Sequence, residues 1–320
     1  MEEKDLTFGP VPSRRLGRSL GINNIPPKIC SYSCVYCQVG RTRDMRVRRG
    51  EFYPPEDLIA AVERRVRGAE EAGSPIDYLA FVPDGEPTLD VHLGREIAGL
   101  KKPGRRVAVI SNASTIDDES VRADLALADW VSLKVDAADR KVWRMVDRPH
   151  GRLDLDAILD GILAFRRRFP GELVTETMLV RGVNDSEENL GAIAAFLAEV
   201  KPEKAYLSAP TRPPAEENVF PPGEATLQEA YQIFREKVSG TELLVCYEGD
   251  DFEAVRGSAE EELLGITAVH PMRENAVFAL LDGAGADRAI LESMIRRRIL
   301  ARIEYGGETY YLRRFTRGKA

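Results

Sequence analysis

The chain has 320 residues, 43% hydrophobic and 30% charged, which is ordinary for a soluble globular protein able to bury one large core or two of unequal size. It offers neither a basic start followed by an apolar run nor 18 consecutive apolar residues, so neither export nor a membrane span is expected, and the cytoplasm is the expected compartment. The net charge of −7 is unevenly spread: residues 8 to 50 hold nine basic side chains against the single acid Asp44, and residues 270 to 320 carry +4, an acidic body with two basic regions that suits an anionic substrate or a nucleic acid.

In chain order, "SLGINNI" reads as a strand and is followed by "KICSYSCVYCQ", which holds three of the four cysteines, Cys30, Cys34 and Cys37. Beyond it, helical and extended patterns alternate. "PEDLIAAVERRVRGAEEAG" has Leu58, Ile59, Val62 and Val66 on one stripe, and "IDYLAFVPD" is a short apolar strand. The unit recurs through the strands "RRVAVISN", "DWVSLKVD", "ELVTETMLV" and "KAYLSAP", ending on the helix "TLQEAYQIFREKV". Six strands alternating with helices imply an α/β fold with a parallel sheet, open or curled into a barrel, whose functional loops lie at the carboxyl ends of the strands. Residues 1–240 form this unit and 241–261 a connecting segment. In 262–320, "PMRENAVFALL", "ADRAILESMIRRRIL" and "ARIEYGGETYYLRRF" read as helix, helix and a Gly-Gly hairpin, the outline of a small winged-helix domain.

Three thiols on one short loop cannot cross-link distant parts of a fold, so ligation is the better reading. A structural zinc site needs four ligands, and the nearest histidine, His92, is more than fifty residues away, which leaves zinc incomplete. Three thiolates can instead grip three irons of a [4Fe-4S] cube and leave the fourth iron open to bind and reduce a ligand.

The spacing Cys-x-x-x-Cys-x-x-Cys, with Tyr36 just before the third cysteine, resembles that of the radical S-adenosylmethionine (radical SAM) enzymes. The resemblance implies a partial (β/α)6 TIM-like barrel over residues 8 to 240. It also implies a [4Fe-4S] cluster whose open iron is chelated by the methionine amino and carboxylate groups of S-adenosylmethionine. One electron from the cluster then yields methionine and a 5′-deoxyadenosyl radical that abstracts a substrate hydrogen. "FVPDGEPTLD" resembles the family's Gly-Gly-Glu motif, here Asp84, Gly85 and Glu86, with the first glycine replaced. Ser111 and Asn112 end their strand where the family places polar groups against the methionine carboxylate or ribose. On "VSLKVDA", Ser132, Lys134 and Asp136 share one face, and an inward lysine is costly without a charged partner. A bound cofactor supplies one: Lys134 for the carboxylate, Ser132 or Asp136 for ribose or substrate.

"FGPVPSRRLGRSLGINNIPPKICSYSCVYCQVGRT", "GEPTLD" and "SAPTRPP" resemble the iron-sulfur oxidoreductase group akin to wybutosine-type tRNA-modifying radical SAM enzymes, which suggests an RNA substrate. Those enzymes carry a second cluster, whereas this chain has only Cys246 left, read as a buried strand residue. The expected reductant is a flavodoxin or ferredoxin. Arg14, Arg15, Glu176 and Arg212 are placed to touch substrate, Asn184 and Asp185 follow the fifth strand, Met178 reads as core and His150 as a loop residue. Arg296, Arg297, Arg298, Arg313 and Arg314 would let the winged helix dock RNA, DNA or protein, or serve a non-enzymatic, redox-sensing nucleic-acid-binding regulator. Such a regulator has no use for the Asp-Gly-Glu and Ser-x-Lys-x-Asp features, which favour the enzyme.

Overall fold

The structure is a computed structural model that describes residues 6–102, 104–244 and 258–314. It opens with an antiparallel hairpin, β1 (Thr7–Ser13) and β2 (Gly17–Ile22), whose turn carries Arg14 and Arg15. A parallel pair of two-residue strands follows, β3 (Ile29–Cys30) and β4 (Asp44–Met45), bracketing the cysteine loop. The regular alternation then runs α1 (Pro55–Glu71), β5 (Tyr78–Phe81), α2 (Leu93–Leu100), β6 (Arg106–Ser111), α3 (Glu119–Leu125), β7 (Trp130–Lys134), α4 (Arg140–Val146), α5 (Leu155–Arg166), β8 (Glu172–Met178), α6 (Glu187–Val200), β9 (Lys204–Ser208), α7 (Glu224–Lys237) and β10 (Thr241–Leu244).

The strands form one eight-stranded sheet in the order β1-β2-β5-β6-β7-β8-β9-β10, parallel throughout except for β1 at its edge. The molecule is therefore an α/β fold with a mostly parallel sheet. All six expected strands are present. Two more join them: β1, and β10, which lies in the expected connecting segment yet pairs parallel with β9.

Pleating decides what each strand shows to either side. Val107 and Val109 of β6 face the helices, in a large cluster with Leu58, Val62 and Ile97. Ala108 faces the other way and joins Ala80, Trp130, Val174 and Tyr206 on the inner face. Helix starts are fixed by side-chain caps: Asp139 accepts from Lys141 and Val142 N–H, Asp154 from Asp156 and Ser186 from Asn189. Each such cap contributes about 1 kcal/mol.

The remaining elements are α8 (Ala259–Val269), β11 (Met272–Arg273), α9 (Glu274–Gly283), α10 (Ala289–Arg296), β12 (Leu300–Tyr305) and β13 (Glu308–Arg313), with the strands in the order β11-β13-β12. They do not keep a core of their own. Phe8 and Val11 of β1 belong to the same apolar cluster as Leu263, Ile266, Met272 and Leu280. Arg65 of α1 donates to Gly9 O at 2.8 Å and to Glu262 of α8 at 2.7 Å, tying hairpin, first helix and carboxy-terminal elements together. The expected boundary at 262 falls inside α8. Among the described residues no helix is long and apolar enough to cross a membrane.

Candidate active site

A cavity of about 340 Å³ opens at the carboxyl ends of the strands and is walled by the cysteine loop, the β1–β2 turn and the strand ends. Cys30 ends β3, and Cys34 and Cys37 lie on the loop after it; all three line this cavity. The loop is held by main-chain bonds rather than by packing alone. Val35 N–H donates to Val146 O, Ser33 N–H to Asp147 O and His150 N–H to Ser31 O, so the exit of α4 clamps it on one side.

On the other side the Asp-Gly-Glu turn runs beside it like a short strand. Lys28 N–H donates to Asp84 O at 2.7 Å and Glu86 N–H to Ile29 O at 3.1 Å. A Cβ on Gly85 would stand 2.1 Å from Ile29 O, which explains why this position has no side chain. The side chains of Lys28 and Asp84 form a buried pair at 3.0 Å, and burial, opposed by that lysine, raises the Asp84 carboxyl to about 6.

Glu86 is committed to the protein. It accepts from Thr88 N–H (3.1 Å), Thr88 Oγ1 (2.6 Å), Ser111 Oγ (2.7 Å) and Asn112 N–H (2.7 Å), stitching the exit of β5 to that of β6. Ser111 is buried in this brace, and the amide of Asn112 reaches the sulfur of Cys30 at 3.4 Å. Ser132 is buried with its hydroxyl making no hydrogen bond and does not line the cavity.

Lys134 is fully engaged with the cavity. Its Nζ lies 3.6 Å from the Glu176 carboxylate and 4.7 Å from the centre of the Tyr36 ring. Burial would lower its pKa, but Asp136 and Glu176 outweigh burial and raise it, so the lysine stays charged. Glu176 also pairs with Arg15 and accepts from Ser208 Oγ at 3.0 Å. Burial alone would raise its carboxyl; Arg15 and Lys134 overcome that and hold it at about 2.

Beside this lies an acidic knot. Asp136 accepts from the Tyr36 hydroxyl and from Met178 N–H at 2.7 Å, and Asp147 accepts from Cys34 Sγ at 3.4 Å. Burial, then the Asp136 carboxylate, pushes Asp147 well above the usual carboxylate range. Asn184 locks the assembly, its amide donating to Asp136 O and Met178 O at 2.9 Å each.

Of the residues expected at the site, the cavity wall collects Arg14, Arg15, the three cysteines, Tyr36, Asp84, Gly85, Lys134, Glu176 and Arg212, and Met178, expected in the core, lines it as well because β8 turns this half-buried side chain inward at its end. Glu86, Ser111, Asn112 and Asp136 do not line it but brace residues that do, and Ser132 neither lines it nor bonds to the wall. Asp185 accepts from Gly182 N–H, and His150 lies within the loop between α4 and α5. Cys246 lies outside the described residues. His270, at the end of α8, also lines the cavity, and Asp147 touches Cys34; neither carries a motif that sequence reading could use.

The donor set fits a cluster. Burial pushes the Cys30 thiol up to about 12, with Glu86 adding to it, and raises Cys34 well above the thiol range, so the thiolates require a cationic centre to form. Among the described residues no three His, Cys, Asp or Glu side chains converge as a single metal ion requires. The three sulfurs share one cavity without meeting at one point.

The comparisons agree with this geometry. Residues 24–192, more than half of the chain, match the model of the radical SAM superfamily. A UPF0026 protein of Methanocaldococcus jannaschii is 45% identical over 310 residues, covering 96% of each chain. Among solved structures, a radical SAM methyltransferase from Sphaerobacter thermophilus superposes with a TM-score of 0.54 at 17% identity, over 71% of this chain and 66% of that one. TYW1 with a lysine-pyruvate adduct bound gives 0.51 at 18% identity, over 69% and 74%. The chain belongs to the radical SAM superfamily, enzymes that work with a [4Fe-4S] cluster and S-adenosylmethionine.

Proposed function

We propose that Cys30, Cys34 and Cys37 hold three irons of the [4Fe-4S] cluster and that the cavity beside them receives S-adenosylmethionine and the substrate. The observation that carries this reading is that three half-buried thiols, a charged Lys134 and the Arg15–Glu176 pair share one cavity at the carboxyl ends of parallel strands. Held by those three thiolates, a [4Fe-4S] cluster would supply the one electron needed to cleave S-adenosylmethionine, the chemistry by which the family takes a hydrogen atom from a substrate.

The chain's own residues orient these partners. Lys134 is positioned to pair with the methionine carboxylate, and the Tyr36 ring, pinned through its hydroxyl to Asp136, offers a flat apolar face for the adenine. Asp84 and Gly85 present the main-chain edge of the turn after β5 to the amino group. Glu86, Ser111 and Asn112 hold that edge in register with Cys30, and Ser132 and Asp136 stand under the ribose or the substrate. Arg14, Arg15, Glu176 and Arg212 form the substrate end, which suits an anionic group.

The substrate is an RNA or a protein presented by the carboxy-terminal elements, whose order of helices and strands from α8 to β13 is that of a winged helix. We divide the chain into a catalytic unit through β10 and this module from α8 onward. Arg296, Arg297 and Arg298 are exposed at the end of α10, but Arg297 turns back to Glu260 at 2.7 Å, so the three do not act as one surface. Electron paramagnetic resonance of the reduced, anaerobically reconstituted protein tests the reading: adding S-adenosylmethionine should shift the cluster spectrum, and an unchanged spectrum would contradict an open iron.

A further inference from the structure

We infer that the outer wall of the cysteine loop is a docking surface for an acidic one-electron carrier protein; this rests on the placement of the cluster proposed above. Gln38, Val39, Gly40 and Thr42 line the cavity, while Arg41 and Arg43, which alternate with them, are exposed and do not line it. One residue's thickness of main chain therefore separates the cavity from solvent here. The basic segment is joined to the loop directly: Arg43 N–H donates to Lys28 O and Arg46 N–H to Cys30 O, both at 3.1 Å.

A second basic segment flanks the loop from α4 onward. Arg144, Arg148 and Arg152 are exposed there, next to the carbonyls that hold Ser33 and Val35. The two flanks meet, because Arg41 and Arg148 both grip Glu216, at 2.9 Å and 2.6 Å. Met45 and Met145, 37% and 42% exposed, each lie next in sequence to these basic segments and add apolar surface to them. A cationic collar on a chain of net charge −7 selects an acidic partner.

The closed wall decides which partner. A reacting substrate atom has to enter the cavity, whereas an electron needs only to cross the backbone of the loop. In that step one electron leaves the carrier's reduced flavin or iron-sulfur centre and enters the cluster, and no bond or proton changes place.

The test uses the reconstituted holoenzyme, a flavodoxin as probe, and the triple variant Arg41→Glu, Arg144→Glu, Arg152→Glu. Flavodoxin affinity should weaken at least about tenfold at low salt and lose most of its salt dependence, with 5′-deoxyadenosine formation driven by reduced flavodoxin falling in step. Formation driven by dithionite should stay unchanged, and the corresponding triple lysine variant should bind as wild type. Equal flavodoxin affinity in wild type and the reversal variant would overturn the inference, as would bulk tRNA binding on this face where flavodoxin does not. Absence of dithionite-driven product in the wild type would count against the cluster placement instead, while the binding isotherm still decides the docking surface.

Discussion

Glu176 is the side chain on which most of the cavity's charge balance turns. It lies between Arg15 and Lys134, and its folded-state value of about 2 is below the ordinary carboxylate value. Its ionised form therefore stabilises the fold above the unfolded value, and that contribution, ~3 kcal/mol, is lost as pH falls from about 5 towards about 2. Glu176→Gln leaves two half-buried cations unbalanced and should cost ~3 kcal/mol at neutral pH, with its urea-unfolding free energy converging on that of the wild type at low pH. A constant gap at every pH would show that the carboxylate does not carry this balance. Gly85 gives a second residue-scale prediction. Because Gly85→Ala would drive a methyl into Ile29 O, it should lower stability by ~2 kcal/mol and weaken iron loading, whereas an unchanged denaturation midpoint would mean the turn moves away freely. The cysteines, Lys134 and the Asp-Gly-Glu turn were legible because their chemistry is written in adjacent residues. Asp147 and His270 reach the site only through folding, and no local pattern marks them.

At the scale of elements, the exits of the strands are fastened to one another by side chains that never touch the cavity. Asn184 is one such fastener, accepting from Val180 N–H at 2.7 Å while donating to β7 and β8 exits. Asn184→Ala should cost about 2–3 kcal/mol, since several buried groups lose their partners, and should loosen Asp136 with it; chemical denaturation checks the size. The alternating helices and strands could be read from apolar periodicity because both faces of a buried parallel sheet demand it. What escaped reading had physical reasons. β1 contains Pro10 and Pro12, which argue against a strand, and it is tolerated as one because it sits at the sheet edge. α4 is seven residues long and α8 begins with three consecutive glutamates, so neither displays a full apolar stripe.

For the whole molecule, the shared core of β1, α8 and the last three strands changes what the carboxy-terminal module means. A module with its own core could be removed cleanly; this one cannot, because Phe8 and Val11 would lose their cover. Its sheet also reaches the catalytic side, with the Tyr305 hydroxyl donating to Pro210 O at 3.0 Å and that of Tyr310 to Thr211 O at 2.9 Å, next to Arg212. Calorimetry of the full chain should therefore show one cooperative transition, and two separable transitions would restore the independent module that the sequence suggests. The central claim, that three thiolates hold a cube with one iron open to S-adenosylmethionine, is tested most directly by product analysis. Reduced, cluster-loaded protein incubated with S-adenosylmethionine should release 5′-deoxyadenosine and methionine, and Cys34→Ala should release none. A fully loaded wild-type cluster that leaves S-adenosylmethionine intact would contradict the account.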